Sequence, residues 1–238
     1  CLEYLFQTQG KNISSYMHDV VGVCTKQFKL SSHEFVQVRL AAASCVCEGL
    51  SFCGGSSKHA HASALKFFQN ASKDKSAEVR RQVGKGLESL ALASNIFASV
   101  ALESLLNVVI KAIDAETVAA ARLAFARAAS TIMTISILNP IKTDPTLESK
   151  PVKKGLFNSG QRKKILSFSI LSAVDYLCAK IVKASSCKSK LGFAHALIDL
   201  IKQPSTSEIV MLSANFSSII YKLIGLVQPP RVNYLRTT

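Results

Sequence analysis

Three arginines return along this chain at a nearly constant interval. Arg39, Arg80 and Arg122 are 41 and 42 residues apart, and each opens a small-residue-rich amphipathic stretch: VRLAAASCVCEGL, VRRQVGKGLESLA and ARLAFARAASTIM. Small or apolar residues follow at similar offsets: Ala42, Val46 and Leu50; Val83, Leu87 and Leu90; Phe125, Ala129 and Ile132. Spacings of three and four place such residues on one helical face. A period of about 40–47 residues is the length of a two-helix repeat, a unit that cannot bury its apolar face alone and must stack on its neighbours.

The 238 residues leave room for about five or six such pairs. Hydrophobic residues make up 48% of the chain, too many for disorder over most of its length. No window holds the roughly 18 uninterrupted apolar residues of a membrane span. The nearest, ALASNIFASVALESLLNVVIKAI, is broken by Asn95, Glu103 and Asn107 and has helical period. The chain starts at Cys1 without an initiator methionine or a signal or transit pattern, and reads as a piece of something longer. Seven cysteines, odd in number and unevenly spaced, fit free thiols in a reducing compartment better than a disulfide framework. In that compartment the sequons at Asn12, Asn70 and Asn215 go unused.

Helical pattern runs over 13–28 and 32–52, the second capped by Ser31–Ser32 and stopped by Gly54–Gly55. It continues over 58–71, 76–93 and 95–113, then from an Asp114 cap to Leu138. Links of two to five residues put the third to sixth of these helices side by side and antiparallel. The expected division is 1–138, about three helix pairs; 139–161, a basic loop with Pro140, Pro145, Pro151 and Gly155; 162–227, further helices; and 228–238, a tail after Pro229–Pro230. Within 162–227 the helical stretches are 162–183, 190–202 and 205–226.

Chemistry-bearing residues are few. Cys45, Cys47, Cys53, His59 and His61 cluster in sequence, but Cys45 and Cys47 point about 200° apart on a helix and no CxxC pair is present. No metal or cofactor is expected. GLSFCGG lacks the order of a phosphate loop, and His195 in LGFAHALIDL sits in an amphipathic pattern as a core or boundary residue. Arg39, Arg80 and Arg122 open the second helix of each pair near the turn carboxylates Asp74 and Asp114, and are expected to brace one unit against the next. The net charge of +14 comes from 29 basic and 15 acidic residues. Its one local concentration, Lys150, Lys153, Lys154, Arg162, Lys163 and Lys164, is a candidate patch for an anionic partner.

The fold these patterns describe is all-α: a HEAT/ARM-type α-solenoid of stacked antiparallel helix pairs. The stretch 49–135 also resembles one group within that class, the large HEAT-repeat scaffolds found with the clathrin adaptor, aftiphilin and gamma-synergin, with the yeast relative Laa. The resemblance lies in the turn Gly49, Leu50, Gly54, Gly55, Ser56, Ser57 and His59. It continues in the helix start Asp74, Ser76, Val79 and Arg80 and in the run Leu102, Glu103, Lys111, Ala112 and Ile113. A weaker echo lies in FAHALIDLIKQPSTSEIVMLSANFSSIIYKLIG. The loop after residue 138 departs from that pattern, and Ala121 stands where a Val-Arg pair is typical.

The resemblance implies a non-enzymatic cytoplasmic scaffold, peripheral on Golgi or endosomal membranes, that binds adaptor subunits or their accessory proteins. An anionic membrane surface would be a further partner. The alternative expectation is a nucleic-acid-associated scaffold similar to symplekin, which shares the DxSxEVR start, with Lys153, Lys154, Arg162, Lys163 and Lys164 on phosphates.

Overall fold

Short polar links between apolar runs decide where each helix stops. The computed structural model describes residues 14–30, 35–53, 58–93, 99–138 and 169–203, with positions 217 and 221, and among them there is helix and turn but no strand. A 3-10 turn at Ser14–Tyr16 leads into α1 (Met17–Leu30), followed by α2 (Val36–Cys53), α3 (Lys58–Ala71) and α4 (Ala77–Ala93). Then come α5 (Ser99–Ala115), α6 (Ala119–Leu138), α7 (Ile170–Lys183) and α8 (Cys187–Lys202). The expected loop 139–161, the tail 228–238 and, apart from the helical positions 217 and 221, the helix over 205–226 lie outside the described residues.

Several helix starts differ from expectation: α2 begins at Val36 rather than 32 and α7 at Ile170 rather than 162, and the starts of α6 and α8 differ for a visible local reason. Asp114 does not cap α6; it lies in the last turn of α5. The chain leaves helix at Glu116, whose Oε1 accepts the Val118 N–H at 2.8 Å, and α6 begins at Ala119. Helix α8 begins at Cys187, not Lys190, because the Ser186 hydroxyl accepts the Ser189 N–H at 3.0 Å and caps three earlier residues into the helix. In α7, Ser169 and Ser172 exchange side-chain and backbone bonds as a capping box.

The helices fall into two rows. The even-numbered helices pack in chain order, α2 on α4, α4 on α6 and α6 on α8. In the other row α1 packs on α3 and α3 on α5, while α5 also reaches α8. Cross-row contacts are broad for α1–α2, α5–α6 and α7–α8 and slight for α3–α4, although only residues 72–76 join that pair. The buried residues of α4 explain the imbalance. Gly84 and Gly86 let the neighbouring even helices approach: a methyl at Gly84 would sit 2.8 Å from the Ala124 Cβ, and one at Gly86 would overlap the Cys47 side chain. Helix α4 is thus held chiefly within its own row.

Helix α6 is the centre of the packing. Thirteen of its twenty residues are buried, Arg122 and Phe125 among them, and its alanines leave room for α4, α5 and α8. Among the described residues it is the one helix long and apolar enough to cross a membrane, yet 72% of its most apolar window is buried against the rest of the protein. Two of its buried hydroxyls are satisfied locally, Ser130 donating to the Arg127 carbonyl and Thr134 to that of Ser130, both at 2.9 Å. Between α1 and α3, Phe28 meets Phe67 edge-on at 5.3 Å, and Phe67 meets Phe68 at 5.8 Å. Full burial of each of Phe67 and Phe68 contributes about 1.5–3 kcal/mol.

Candidate functional site

One backbone register repeats at the start of every even helix. The amides of Arg39, Arg80, Arg122 and Lys190 donate to the carbonyls of Phe35, Ser76, Val118 and Ser186, four residues earlier. Taking those four as the cap residues, the position two before the cap holds Asp74 in one turn and Glu116 in the next. Each of these carboxylates folds back onto its own turn. Asp74 Oδ1 accepts the Ser76 N–H at 2.8 Å, as Glu116 Oε1 accepts that of Val118.

The same carboxylates receive the arginine of the preceding even helix. Arg39 donates from Nε to Asp74 Oδ2 at 2.8 Å and from Nη2 to Oδ1 at 3.3 Å, with the two side chains 5% and 7% exposed. Arg80 repeats the arrangement on Glu116, Nε to Oε2 at 2.6 Å and Nη2 to Oε1 at 2.9 Å, and the Glu116 side chain is 2% exposed. The remaining nitrogen of Arg80, Nη1, donates to the carbonyls of Asp74 and Lys75 in its own turn, at 2.6 and 3.0 Å. One guanidinium therefore stitches its own turn and grips the next, a two-bond fork that only arginine supplies.

Of the expected ladder, the structure brings together Arg39 with Asp74. It pairs Arg80 with Glu116, a residue the sequence reading passed over. Asp114 differs: it bonds no arginine among the described residues, and its Oδ1 and carbonyl both accept from the Ser189 hydroxyl of α8, at 2.8 and 2.9 Å. The reason is placement, since Asp114 is still inside α5 and outside the turn. The six-residue offset from Asp74 to Arg80 recurs from Glu116 to Arg122, and that spacing was the available signal.

Electrostatics follow the geometry. Burial by itself would raise the Glu116 carboxyl, but the Arg80 fork and the Val118 and Thr117 amides outweigh it and hold the group below its ordinary range. The same contact, opposed by burial, raises Arg80. A shallow hollow of about 350 Å³ opens beside this rung, lined by Lys73, Asp74, Arg80, Lys111 and Glu116 among others.

A second polar group lies toward the opposite ends of α4, α6 and α8, where Glu88, Arg127, Thr131 and Asp199 line a more open hollow of about 310 Å³. Burial raises the Glu88 carboxyl; Arg127 opposes the rise and Asp199 adds to it. Asp199 Oδ2 is buried without a hydrogen-bond partner.

The cysteines sort by helix face. The Cys24 and Cys45 side chains hydrogen-bond between α1 and α2, lowering Cys45 and raising Cys24. Cys47 points to Gly86 instead and is raised by burial. No group of three potential metal ligands forms among the described residues, and the side chains of Cys53, His59 and His61 fall outside that description. His195 is half-buried in α8. The basic residues Lys153, Lys154, Arg162, Lys163 and Lys164 also lie outside the described residues. No family model, curated protein or solved structure matches the chain.

Proposed function

We propose that this chain is a segment of a HEAT/ARM-type α-solenoid that serves as a non-enzymatic scaffold and binds other proteins on its helical surfaces. The observation that carries the reading is the double use of Asp74 and Glu116, each tied to its own turn and to the arginine of the unit before. Such pairing gives each unit one neighbour on either side, as a stack of repeats requires. A regular stack exposes long surfaces suited to extended partners.

The cellular role in this reading is clathrin-adaptor-dependent sorting between the trans-Golgi network and endosomes, in the cytoplasm and peripheral to those membranes. Its support is the likeness of 49–135 to the adaptor-associated scaffolds, centred on the turns that carry the ladder. The test is capture of purified clathrin-adaptor complexes and their accessory proteins by the immobilised chain, read by mass spectrometry. Retention of an adaptor subunit is the expected result. Retention of none of them removes the trafficking role and leaves the scaffold to be judged on other partners.

A further inference from the structure

The third arginine of the series lacks what the first two have. Arg122 is only 5% exposed, and its Nη1 reaches the carbonyls of Glu116 and Thr117 in its own turn, at 3.3 and 3.5 Å, much as Arg80 does in its turn. Its Nε and Nη2 meet no carboxylate among the described residues, although this is the edge with which Arg39 and Arg80 each grip one.

The cause is one residue in the next turn. Counting from the Ser186 cap, the position held by Asp74 and Glu116 in the earlier turns is occupied by Ala184. That turn is nevertheless brought alongside. Helix α8 lies over the arginine stem so closely that a methyl at Gly192 would be 2.9 Å from both Cγ and Cδ of Arg122, and Ser189 pins the first turn of α8 to Asp114. The register of the ladder is kept while its carboxylate is missing.

A largely buried guanidinium with an unpaired fork is costly unless an anion completes it. Arg122 keeps 5% of its surface open to solvent, and its side-chain bonds within the described residues run from Nη1 alone. The turn itself is basic: Lys183, Lys188 and Lys190 flank it and are exposed, residues 180–190 include no acid, and the Asp114 carboxylate that faces the turn is engaged by the Ser189 hydroxyl.

We propose that the Nε–Nη2 edge of Arg122 is a receptor for a carboxylate side chain presented by an acidic peptide segment of a binding partner. The partner's Asp or Glu takes the place that Asp74 and Glu116 fill within the chain, and the flanking lysines attract the rest of the acidic segment. This rests on the scaffold reading for the existence of a partner, but not on the adaptor assignment. Failed adaptor capture leaves it standing, and failed peptide binding leaves the scaffold standing.

The test is fluorescence anisotropy of a labelled, amidated hexaglutamate peptide titrated with the full chain at physiological salt, with hexaglutamine as the neutral comparison. The chain is expected to bind the acidic peptide and not the neutral one. Ala184→Asp supplies the missing carboxylate from within, so it should weaken peptide binding about tenfold or more and raise the melting temperature. Cys187→Asp adds the same charge at an exposed position of the neighbouring turn and should change affinity less than about twofold. Arg122→Lys keeps the charge without the fork and should weaken binding as well.

Equal weakening by Ala184→Asp and Cys187→Asp would reduce the effect to net charge and overturn the proposal. So would a lack of binding, or free glutarate binding as tightly as the peptide. If the pair Asp144→Asn and Glu148→Gln lowered the melting temperature and tightened peptide binding, the chain would be filling the edge itself, and the proposal would fall.

Discussion

The Arg80 guanidinium lies on the Glu116 carboxylate through two parallel hydrogen bonds, 2.6 and 2.9 Å long, from one even helix to the turn that starts the next. Because the Glu116 side chain is 2% exposed, losing Arg80 strands a carboxylate away from water, whereas Arg80 is 14% exposed and keeps its bonds to the Asp74 and Lys75 carbonyls if Glu116 is lost. Arg80→Leu alone should therefore cost about 3–5 kcal/mol, measured as a lower urea midpoint, and Glu116→Leu alone should cost less. The double replacement should recover much of that loss, giving a large coupling energy in the cycle.

Acid sensitivity has a defined direction. The folded chain holds Glu116 below its ordinary value of 4.5, so the contribution of this rung is fully present above that pH. It is lost as pH falls through the lower folded value. Melting temperatures recorded downward from neutral pH should fall more steeply in the wild type than in Glu116→Gln, whose rung no longer titrates.

Glu88 has the opposite sign. Burial raises its carboxyl, so the folded state favours the protonated form and loses stability as pH rises through the folded value. Glu88→Gln should raise the melting temperature at pH values above that point and leave it nearly unchanged below the ordinary carboxylate range. A scan of the two proteins from acid to neutral pH separates this effect from that of Glu116.

Three glycines in helices predict three different outcomes for one added methyl. At Gly86 the methyl overlaps Cys47, and at Gly84 it is 2.8 Å from the Ala124 Cβ, so alanine at either should destabilise by about 1–3 kcal/mol. Gly86→Ala should be the worse of the two. At exposed Gly22 in α1 nothing lies within 4 Å, so alanine should stabilise by up to about 1 kcal/mol through helix propensity. Denaturant midpoints of the three variants test both signs.

Thiol chemistry offers a labelling map of the same faces. Cys187 is exposed, whereas Cys47 is buried and raised, which disfavours the reactive thiolate. Timed alkylation followed by peptide mass spectrometry should modify Cys187 first and Cys47 last among the described cysteines. The Cys24–Cys45 pair should label between them.

Helix existence was legible in the sequence wherever an apolar period met a polar link, and α3 spans the residues its pattern marked, Lys58–Ala71. Boundaries were less so at the start of α6, because a side chain two residues ahead of the cap, Glu116, competes with the better-known cap residue Asp114 for the role. The arginines were visible by period. Their partners depended on a second spacing, six residues from carboxylate to arginine, that becomes evident only when the turns are superposed by their backbone bonds. Tolerance of a close approach at Gly84 and Gly86 had no sequence signal beyond the glycines themselves, since it is decided by Ala124 and Cys47 on other helices.

The placement of the ion pairs has a mechanical consequence. Both forks join the even helices near their first turns, whereas toward the far ends the described residues hold the group around Glu88, Arg127 and Asp199 beside apolar core residues such as Leu90, Met133 and Leu200. A row held by directional charged bonds along one rim and by non-directional apolar contact along the other behaves like pages bound at a spine. Thermal bending should fan the far rim while the bound rim keeps its length, so shape change in this protein is expected to be a splay about the arginine edge.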